Sequence, residues 1–378
     1  MREDVYDVAV VGGGLFGLCT ALFLAHEGRQ VVLLERAWTG RHASGGTAGG
    51  LRTLWRDFAE VPIAMDAMEM WHRIEALVGD SCGFRAHGQV KVAESAEQWK
   101  KLEDRVARLG QMGYDHERLM DANELRARIP AIAPHCVGAA TVPSDGSADP
   151  HRTILAFRRA AKAAGVTLCE GAGVRRIERR AGKWTLDAMQ RQVEAEWIVN
   201  AAGAWAGGIA RMIGDEIPLG SKASMMIVTE RVEMELGPVV GCVGRGLSFK
   251  RTDQGTLVIG GGVQGRCDVA AERSEVDFSA LKRSAQAVTE LFPCVGPVHV
   301  TRCWTGIEGK TRDLLPVIDR SPNAENAVHV FGFSGHGLLL VPAVGKAVAD
   351  MIVRGEKGPA LAPFSASRLM DGADAGAM

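Results

Sequence analysis

The sequence lacks the patterns that mark several large classes of protein. Its eight cysteines are scattered, and none forms a Cys-x-x-Cys pair or a Cys/His cluster. A zinc site, another metal centre or a disulfide framework is therefore not predicted. A run of about 18 or more consecutive apolar residues, the length that crosses a membrane, is also missing. We accordingly predict no integral membrane segment.

An excess of charge of one sign is missing too. The 44 Lys and Arg residues balance 45 Asp and Glu residues, the formal net charge is -1, and no basic run or tail stands out. A nucleic-acid partner is therefore not expected. Charged residues such as Arg2, Glu3 and Asp4 interrupt the first residues, which do not resemble a secretory signal. With no disulfide pattern either, we predict a cytoplasmic protein and leave peripheral membrane contact open.

The rest of the composition is that of a globular protein. Hydrophobic residues make up 47% and charged residues 24% of 378 residues, which excludes a disordered or collagen-like chain. The length predicts two to three domains of about 150 residues each. The 46 glycines cluster in short runs, and these runs carry most of the functional signal.

The most specific signal is a strand–turn–helix–strand unit at the start of the chain. The apolar run 5–11 predicts a buried parallel strand, and Gly12, Gly14 and Gly17 fit G-x-G-x-x-G at the start of a helix over 15–26. A second strand over 30–34 ends at Glu35, whose carboxylate can accept hydrogen bonds from ribose hydroxyls. The N-terminus of the helix suits a pyrophosphate. The unit as a whole predicts dinucleotide binding.

Three further segments are also rich in glycine and other small residues, and two of them follow a predicted strand. The segment 40–52 is rich in Gly and small residues, which suits backbone lying against a flat cofactor. The strand over 197–200 ends in small residues, and the strand over 327–331 leads into 332–337, which is rich in glycine, and a helix over 342–353. Together they predict a nucleotide domain assembled from segments that are separated in the chain.

The predicted fold class is α/β with mixed α+β character, in two domains. A Rossmann-like nucleotide-binding domain would be built from the discontinuous segments 1–84, 145–215 and 318–378. A β-sheet substrate domain would be built from 85–144 and 216–317, and the second of these segments is predicted to be antiparallel and rich in strands.

The motifs resemble those of the D-amino acid oxidase/sarcosine oxidase superfamily of FAD-dependent oxidoreductases over nearly the whole chain. Within that superfamily the chain also looks like the catalytic subunits of opine and L-proline dehydrogenases and sarcosine oxidase β. The resemblance is carried by six ordered segments, 10–14 with Glu35, 43–52, 149–152, 199–205, 302–306 and 332–337.

The resemblance implies noncovalent FAD, with the flavin ring at the border of the β-sheet domain. A covalent link through Cys303 is the alternative, since relatives bond FAD through a Cys nearby. Together with the strand–turn–helix motif, the resemblance predicts these cofactor-binding residues: Gly12, Gly14, Leu15, Phe16, Gly17, Glu35, Arg36, Ser44, Gly45, Gly46, Thr47, Ala48, Gly50, Leu51, Val174, Ala201, Ala202, Gly203, Trp205, Gly306, Gly332, Gly335, His336, Gly337 and Leu338.

The implied reaction is oxidation of a C–N bond in a small amino acid or secondary amine, such as an N-substituted or cyclic amino acid. Hydride would pass to flavin N5, and the imine product would hydrolyse in water. Arg52 is the candidate for gripping the substrate carboxylate, and a surface or phosphate-facing Arg is the alternative. His336 could hydrogen-bond the flavin edge or the substrate, although a structural loop role is equally open.

Three departures from the pattern bear on the reaction. Glu308 follows Trp304-Thr305-Gly306 where relatives often carry an Arg, so it could pair with a cationic part of the substrate or be a solvated turn residue. Apolar residues follow Gly337, and 256–260 is apolar where monomeric sarcosine oxidase carries a Lys credited with activating dioxygen. We therefore predict a dehydrogenase, with an unidentified electron acceptor, in preference to an oxidase.

Two other functions remain open on the sequence. An enzyme of the same fold could oxidise a C–O bond, as in a 2-hydroxy acid or glycerol-3-phosphate-type dehydrogenase, but that chemistry needs a base for the hydroxyl proton. Alternatively, the chain could be a flavin-binding subunit that needs a partner subunit for activity. The predicted ligand in the first reading is a small-molecule amino acid or amine.

Overall fold

The computed structural model describes residues 4–189 and 191–370. The strands in chain order are β1 (Asp4–Val11), β2 (Val31–Leu34), β3 (Gly50–Leu51), β4 (Gln89–Ala93), β5 (Arg118–Asp121), β6 (Gly138–Val142), β7 (Gly146–Ser147), β8 (Thr167–Cys169), β9 (Val174–Arg180), β10 (Lys183–Ala188), β11 (Arg191–Asn200), β12 (Gly220–Arg231), β13 (Val239–Cys242), β14 (Ser248–Arg251), β15 (Thr256–Gly260), β16 (Arg266–Asp268), β17 (Arg273–Glu275), β18 (Val300–Lys310), β19 (Val317–Arg320) and β20 (Ala327–Phe331).

The helices surround two large sheets. They are α1 (Leu15–His26), α2 (Ala43–Gly46), α3 (Val61–His72), α4 (Ile74–Val78), α5 (Ala96–Gln111), α6 (Ala122–Arg128), α7 (Pro150–Ala163), α8 (Ala206–Ile213), α9 (Phe278–Leu291), α10 (Val341–Val353) and α11 (Ser367–Met370). Short 3-10 segments lie at Phe58–Glu60, Gly203–Trp205, Pro293–Val295, Leu338–Leu340 and Pro359–Phe364. In the described part of the chain, no helix is long and apolar enough to cross a membrane.

The first sheet has the order β19-β20-β11-β1-β2-β8, with β10 and β9 attached as a hairpin to β11. Its central strands are parallel, and β2 (Val31–Leu34) is fully buried, because helices cover one face of the sheet and the β9–β10 hairpin with α8 covers the other. Helices α1 and α10 pack together on one face, around the apolar side chains of Val8, Val10 and Leu33. The carboxyl ends of β1, β2 and β11 meet at one edge of this sheet.

The second sheet has the order β18-β12-β15-β14-β13-β4-β6-β5, and most of its neighbouring strands are antiparallel. Side chains alternate between its two faces. On β4, Val90 and Val92 pack into a core that also contains residues of α9, whereas Gln89 and Lys91 point to the opposite face, toward the first sheet. This second face forms the floor of the cavity described below.

The strands of the two sheets come from interleaved parts of the chain. The first sheet draws on residues before 35, on 167–200 and on 317–331, and the second draws on 89–142 and 220–310. The mixed α/β architecture with a Rossmann-like part and a substrate β-sheet is therefore confirmed. The sequence missed helix α9, a 14-residue helix inside the segment predicted to be rich in strands. Its hydrophobic face closes the second core, so burial decides its position.

Candidate active site between the two sheets

A cavity of about 660 Å³ runs between the two sheets. We call one part the nucleotide end: it lies at the carboxyl edge of the first sheet and is lined by Gly12, Gly14, Glu35, Val174 and Trp205. The other part is the substrate end, which lies over the second sheet. Its lining includes Arg52, Trp55, Arg56, Lys91, Met226 and His336.

The turn between β1 and α1 shapes the nucleotide end. Gly12 has φ of 113°, and a Cβ there would lie 2.4 Å from the carbonyl oxygen of Ala201. A Cβ on Gly17 would lie 1.9 Å from the carbonyl oxygen of Gly12, so only glycine lets the helix approach the strand this closely. Helix α1 starts at Gly14 without a side-chain cap. The Leu15 N–H donates to Ser44 Oγ at 3.0 Å, and the positive end of the helix dipole still suits an anionic phosphate.

Glu35, at the end of β2, stabilises this turn with its carboxylate. Its Oε2 accepts a hydrogen bond from the Gly13 N–H at 2.7 Å, and its Oε1 accepts one from the Ala37 N–H at 2.8 Å. Ser44 approaches from the second glycine-rich segment, and its Oγ accepts from the Leu15 N–H at 3.0 Å. Hydrogen bonds within the protein therefore hold the Glu35 carboxylate at the cavity wall, where it was predicted to meet a ribose.

Aromatic and cationic side chains form the wall near Trp205. The Arg36 guanidinium lies 4.3 Å from the centroid of the Trp205 ring, and Glu272 forms ion pairs with Arg36 and with Arg41. The His42 ring lies 4.5 Å from Trp205. Burial, and then the charges of Arg41 and Arg36, lower the pKa of His42 to about 4, so its ring is neutral at physiological pH.

These residues fit the dinucleotide that the motif predicts. Among the described residues the buried Nε2 atom of His42 has no hydrogen-bond partner, although the side chain lines the cavity. One wall of the cavity carries the groups that a dinucleotide needs. The start of α1 and the close-packed glycines before it suit phosphate, and the Glu35 carboxylate can accept from hydroxyl groups. The donor set therefore fits the pyrophosphate and ribose groups that FAD would bring to this end of the cavity.

The structure places most of the predicted cofactor residues in the cavity lining. These are Gly12, Gly14, Leu15, Phe16, Glu35, Arg36, Ser44, Gly46, Thr47, Ala48, Gly50, Val174, Ala201, Ala202, Gly203, Trp205, Gly306, Gly332, Gly335, His336, Gly337 and Leu338. Their direct contacts with the cofactor stay a prediction.

Three predicted cofactor residues, Gly17, Gly45 and Leu51, lie behind the lining, and their part in cofactor binding stays a prediction. Gly17 packs against the Gly12 carbonyl, and a Cβ on Gly45 would lie 2.4 Å from the carbonyl oxygen of Gly40. The Leu51 side chain is fully buried in the first core. All three shape the wall through packing, because close backbone approach and apolar burial are their visible roles.

Arg52 stands at the substrate end and is half-buried. Its Nη1 donates to the carbonyl oxygens of Leu54 at 2.8 Å and Trp55 at 2.9 Å, while its Nε and Nη2 have no hydrogen bond to a described residue. Burial, and then the nearby Arg56 charge, lower its pKa to about 10. The guanidinium therefore remains protonated at physiological pH and has donors left for a ligand.

A buried cluster that the sequence analysis missed holds His336 in place. The Arg56 side chain donates through Nη1 to the His336 carbonyl oxygen at 2.7 Å and lies 3.1 Å from Nδ1 of the ring. Glu60 Oε1 lies 3.2 Å from the same Nδ1, and its Oε2 lies 3.5 Å from Arg56 Nη1. The signal in the sequence that could have revealed this cluster is the four-residue spacing of Arg52, Arg56 and Glu60.

The protonation of this cluster follows from its burial. Nδ1 of His336 cannot accept a hydrogen bond from Arg56 and donate one to Glu60 at the same time. Burial lowers the pKa of His336, outweighing the opposing influence of Glu60. We therefore assign a neutral ring, in which Nδ1 either accepts from Arg56 or donates to Glu60, according to the tautomer. Burial alone would raise the pKa of Glu60, but His336 and Arg56 outweigh it and hold that carboxyl ionised.

Glu308 lies on strand β18, so its interpretation as a solvated turn residue is wrong. Extended pairing with β12 places it opposite Lys222, and Lys222 Nζ lies 3.7 Å from Glu308 Oε1. The Ser224 hydroxyl also donates to this carboxylate. Lys222 in turn donates to the Ser334 carbonyl oxygen at 2.9 Å. The carboxylate that could meet a cationic substrate group therefore already has a cationic partner.

The candidate covalent residue Cys303 lies on the same strand but outside the lining. Trp304, Gly306 and Glu308 share one face of β18, since Trp304 Nε1 donates to the Gly46 carbonyl oxygen at 3.1 Å and Gly306 and Glu308 line the cavity. Cys303 points to the other face, because side chains alternate along a strand. No cysteine among the described residues lines the cavity. The same residues contain no group of three or more His, Cys, Asp and Glu that could hold a metal ion.

The chain is similar in sequence to several characterised enzymes. It is 27% identical to glycine oxidase from Geobacillus kaustophilus (strain HTA426), over 96% of this chain and 97% of that protein. It is also 27% identical to sarcosine oxidase subunit beta from Arthrobacter sp, over 97% and 92%. Mitochondrial dimethylglycine dehydrogenase from Rattus norvegicus is 25% identical over 94% of this chain, which spans only 44% of that longer protein.

Solved structures share the fold over almost the full length. The crystal structure of glycine oxidase from Geobacillus kaustophilus has a TM-score of 0.88 at 25% identity and covers 97% of this chain and 99% of that one. L-proline dehydrogenase from P.horikoshii has a TM-score of 0.90 at 24% identity, covering 97% and 98%. A family model described as FAD dependent oxidoreductase matches residues 7–351. The chain therefore belongs to the family of FAD-dependent oxidoreductases that includes D-amino acid oxidase.

Proposed function

We propose that the protein oxidises the C–N bond of a small amino acid or secondary amine, with noncovalent FAD as cofactor. The observation that carries the proposal is the half-buried Arg52 guanidinium at the substrate end of a cavity whose other end fits a dinucleotide. A buried cation with free donors suits a carboxylate. Relatives named glycine oxidase and sarcosine oxidase subunit beta, which match over nearly their whole length, support the choice of amine substrates.

FAD, when bound, supplies at N5 the acceptor for a hydride, which carries both electrons of the oxidation. The protein's own task is to orient the substrate. Arg52 binds the carboxylate, and Arg56 holds the neutral His336 at the cavity wall by donating to its carbonyl oxygen. The aromatic and apolar lining at Trp55 and Met226 excludes water from the reacting carbon. The imine product hydrolyses after it leaves, so no further catalytic acid or base is required.

We propose a dehydrogenase in preference to an oxidase. Strand β15 carries no lysine, which was the basis of this expectation, but its residue Val258 pairs across the sheet with Lys250. Lys250 is buried, burial lowers its pKa to about 8, and its Nζ lies 3.3 Å from the position of a Cβ on Gly49. The side chain lies outside the cavity lining. Lys250 is therefore a cation close to the glycine-rich segment 40–52, and its effect on the reaction of the reduced flavin with oxygen can be measured.

The reoxidation experiment uses enzyme reduced without oxygen and then mixed with air-saturated buffer. We expect slow return of the flavin absorption in the wild type and the same slow rate in Lys250→Met. Rapid return in the wild type that is lost in Lys250→Met would instead identify an oxidase that uses Lys250. An artificial acceptor such as a quinone should restore the absorption in both proteins.

A partner subunit is the remaining proposal about assembly. It rests on the similarity to a protein named as a subunit of sarcosine oxidase. Size-exclusion chromatography of the protein from its native source, compared with the chain produced alone, tests it. A cytoplasmic location stays a prediction from the sequence.

The central test is anaerobic bleaching of the flavin absorption by a panel of metabolites. The panel holds sarcosine, other N-methyl amino acids, both enantiomers of proline, opines, primary amino acids and 2-hydroxy acids. We expect bleaching by one class of amine. Bleaching by 2-hydroxy acids alone would replace the proposal with C–O oxidation, and absence of bleaching in a protein that holds FAD would favour a subunit that is inactive alone.

A further inference from the structure

Lys91 is a lysine at the substrate end that the proposed reaction does not use. It lies on β4 on the same face as Gln89, and its side chain lines the cavity. Its register partner on β13 is Gly241, where a Cβ would lie 3.7 Å from Lys91 Cδ and 3.9 Å from Nζ. A glycine beside it leaves the ammonium group open toward the cavity.

Lys91 differs from the neighbouring cations in its lack of a counter-charge. Arg56 pairs with Glu60, Lys222 pairs with Glu308, and Arg36 and Arg41 pair with Glu272. Arg105, behind the wall, is held by two hydrogen bonds from Nε and one from Nη2 to the buried Glu117 carboxylate. Among the described residues that line the cavity, only Arg52 and Lys91 carry a positive charge without an ion pair.

The surroundings of Lys91 make this arrangement costly without a ligand. Its Nζ lies 5.5 Å from the centroid of the Trp55 ring, and the Arg105 guanidinium lies 5.2 Å from the same centroid. Burial, and then the charge of Arg52, lower the pKa of Lys91 to about 8. A half-buried cation beside two others is stabilised when an anion reaches it. At physiological pH most of the ammonium is still protonated and can bind that anion.

Trp55 indicates that this corner of the cavity is held in a particular shape. Its φ of 59° lies in the left-handed region, which bulky residues rarely adopt. The backbone is held there because the Trp55 N–H donates to Glu117 Oε1 at 2.8 Å and its carbonyl accepts from Arg52. Strain of this kind persists where the surrounding contacts over-determine it. Trp55 therefore holds Arg52 through the Trp55 carbonyl oxygen and places its indole ring beside Lys91.

We propose that Lys91 binds a second acidic group of the substrate, so that the enzyme acts on small amino acids or secondary amines that carry two acidic groups. Arg52 holds the carboxylate next to the reacting C–N bond, and Lys91 holds the distal acid. The inference rests on the proposed function and specifies its substrate class. It assigns Lys91 a role in substrate specificity and leaves the chemical step unchanged.

The test compares acids with amides of nearly identical shape on the FAD-loaded enzyme. The pairs are glutamate and glutamine, aspartate and asparagine, in both enantiomers, and N-(carboxymethyl)glycine with its monoamide. Steady-state turnover with an artificial quinone as electron acceptor gives kcat and KM for each. Because a hydrogen-bonded charge contributes about 1.5–3 kcal/mol, we expect the acid to have at least about tenfold higher kcat/KM within the reactive pair, mainly through KM.

Variants of Lys91 then show whether this residue causes the preference for the acid over the amide. In Lys91→Met the ratio of acid to amide should fall to about one, and Lys91→Arg should keep most of it. Lys100→Met, on an exposed part of α5, is the matched control and should behave as the wild type. If Lys91→Met does not retain FAD, Lys91→Gln replaces it. A preference that persists without the charge at position 91 would overturn the assignment.

A binding measurement without turnover separates this inference from the proposed function. Glutarate and succinate, which carry no amine, should perturb the flavin absorption at lower concentrations than butyrate, and Lys91→Met should abolish the difference. If no amine bleaches the flavin, the proposed function fails whatever these acids do. If neutral amino acids bleach it as well as their acidic counterparts, only the role of Lys91 is overturned.

Discussion

The nucleotide end and the substrate end of the cavity differ in which atoms define them. At the nucleotide end the groups that matter are backbone N–H groups, carbonyl oxygens and glycine Cα atoms, with Glu35 as the main side chain. At the substrate end they are the long side chains of Arg52, Arg56, Lys91 and His336, which come from three separate parts of the chain. A short sequence motif is enough to predict the backbone geometry of a turn, whereas the complete fold is needed to bring side chains from distant parts of the chain together.

The difference also concerns charge. The nucleotide end neutralises its cations within the protein, since Glu272 pairs with Arg36 and Arg41. The substrate end leaves Arg52 and Lys91 without an ion pair among the described residues. A cofactor that stays bound can rely on shape and dipoles, but a substrate that enters and leaves needs charges kept free for it. The comparison predicts that changes at the two ends have different signatures.

The largest effect is expected from a side chain at the nucleotide end. Gly17→Val should abolish FAD binding and destabilise the fold, because even its Cβ would meet the Gly12 carbonyl oxygen at 1.9 Å. The ratio of absorbance at 450 nm to that at 280 nm, with thermal unfolding, measures both. Gly110→Ala in α5 is the control, because a Cβ there meets nothing within 4 Å. A Gly17→Val protein with normal FAD content would contradict the role assigned to the turn.

A change at the substrate end should leave the cofactor in place. Arg52→Met should retain FAD while kcat/KM for the substrate falls about hundredfold, the loss expected for about 3 kcal/mol of charged hydrogen bonding. Arg52→Lys should recover part of it, because a point charge replaces the guanidinium fork. Steady-state kinetics and flavin content are measured together. An unchanged KM in Arg52→Met would remove the carboxylate role.

Lys91→Met should separate stability from function. The pKa of Lys91 in the fold, about 8, lies below its ordinary value of about 10.5, so folding disfavours the charged ammonium. Its removal should raise Tm by about 2 °C or more at pH 7 while weakening substrate binding. In the wild type, stability should rise between about pH 8 and pH 10.5, because only the unfolded chain keeps the proton there. Calorimetry across this pH range should find that rise missing in Lys91→Met.

The smallest effect is expected at Cys303. Cys303→Ser should bind FAD as the wild type does, and acid precipitation should release the yellow colour into the supernatant for both. The reason is that Cys303 points away from the cavity face of β18. Colour retained in the wild-type pellet and lost from that of Cys303→Ser would show a covalent link at this residue.

Individual elements show how far the sequence could be interpreted. Helix α1 and strand β20 have the predicted bounds, Leu15–His26 and Ala327–Phe331, because glycines delimit both and their apolar patterns are strong. Helix α9 was missed although local signals were present, since Asp277 caps it and its buried residues recur at helical spacing. The alternative that Glu308 is a turn residue rested on the glycine of Trp304-Thr305-Gly306. Gly306 instead serves close approach to Gly46, because a Cβ on Gly46 would lie 3.0 Å from Gly306 Cα.

The sequence by itself determined the dinucleotide site, the FAD family and Arg52 as a candidate, because each depends on residues close together in the chain. Only the tertiary structure decided that Arg56 and Glu60 hold His336, that Glu308 is paired with Lys222, and that Lys91 lacks an ion pair at the substrate end. Charge pairing across strands and loops depends on distances that no local pattern contains. Whether a charge is satisfied or left for a ligand is therefore a property of the folded protein alone.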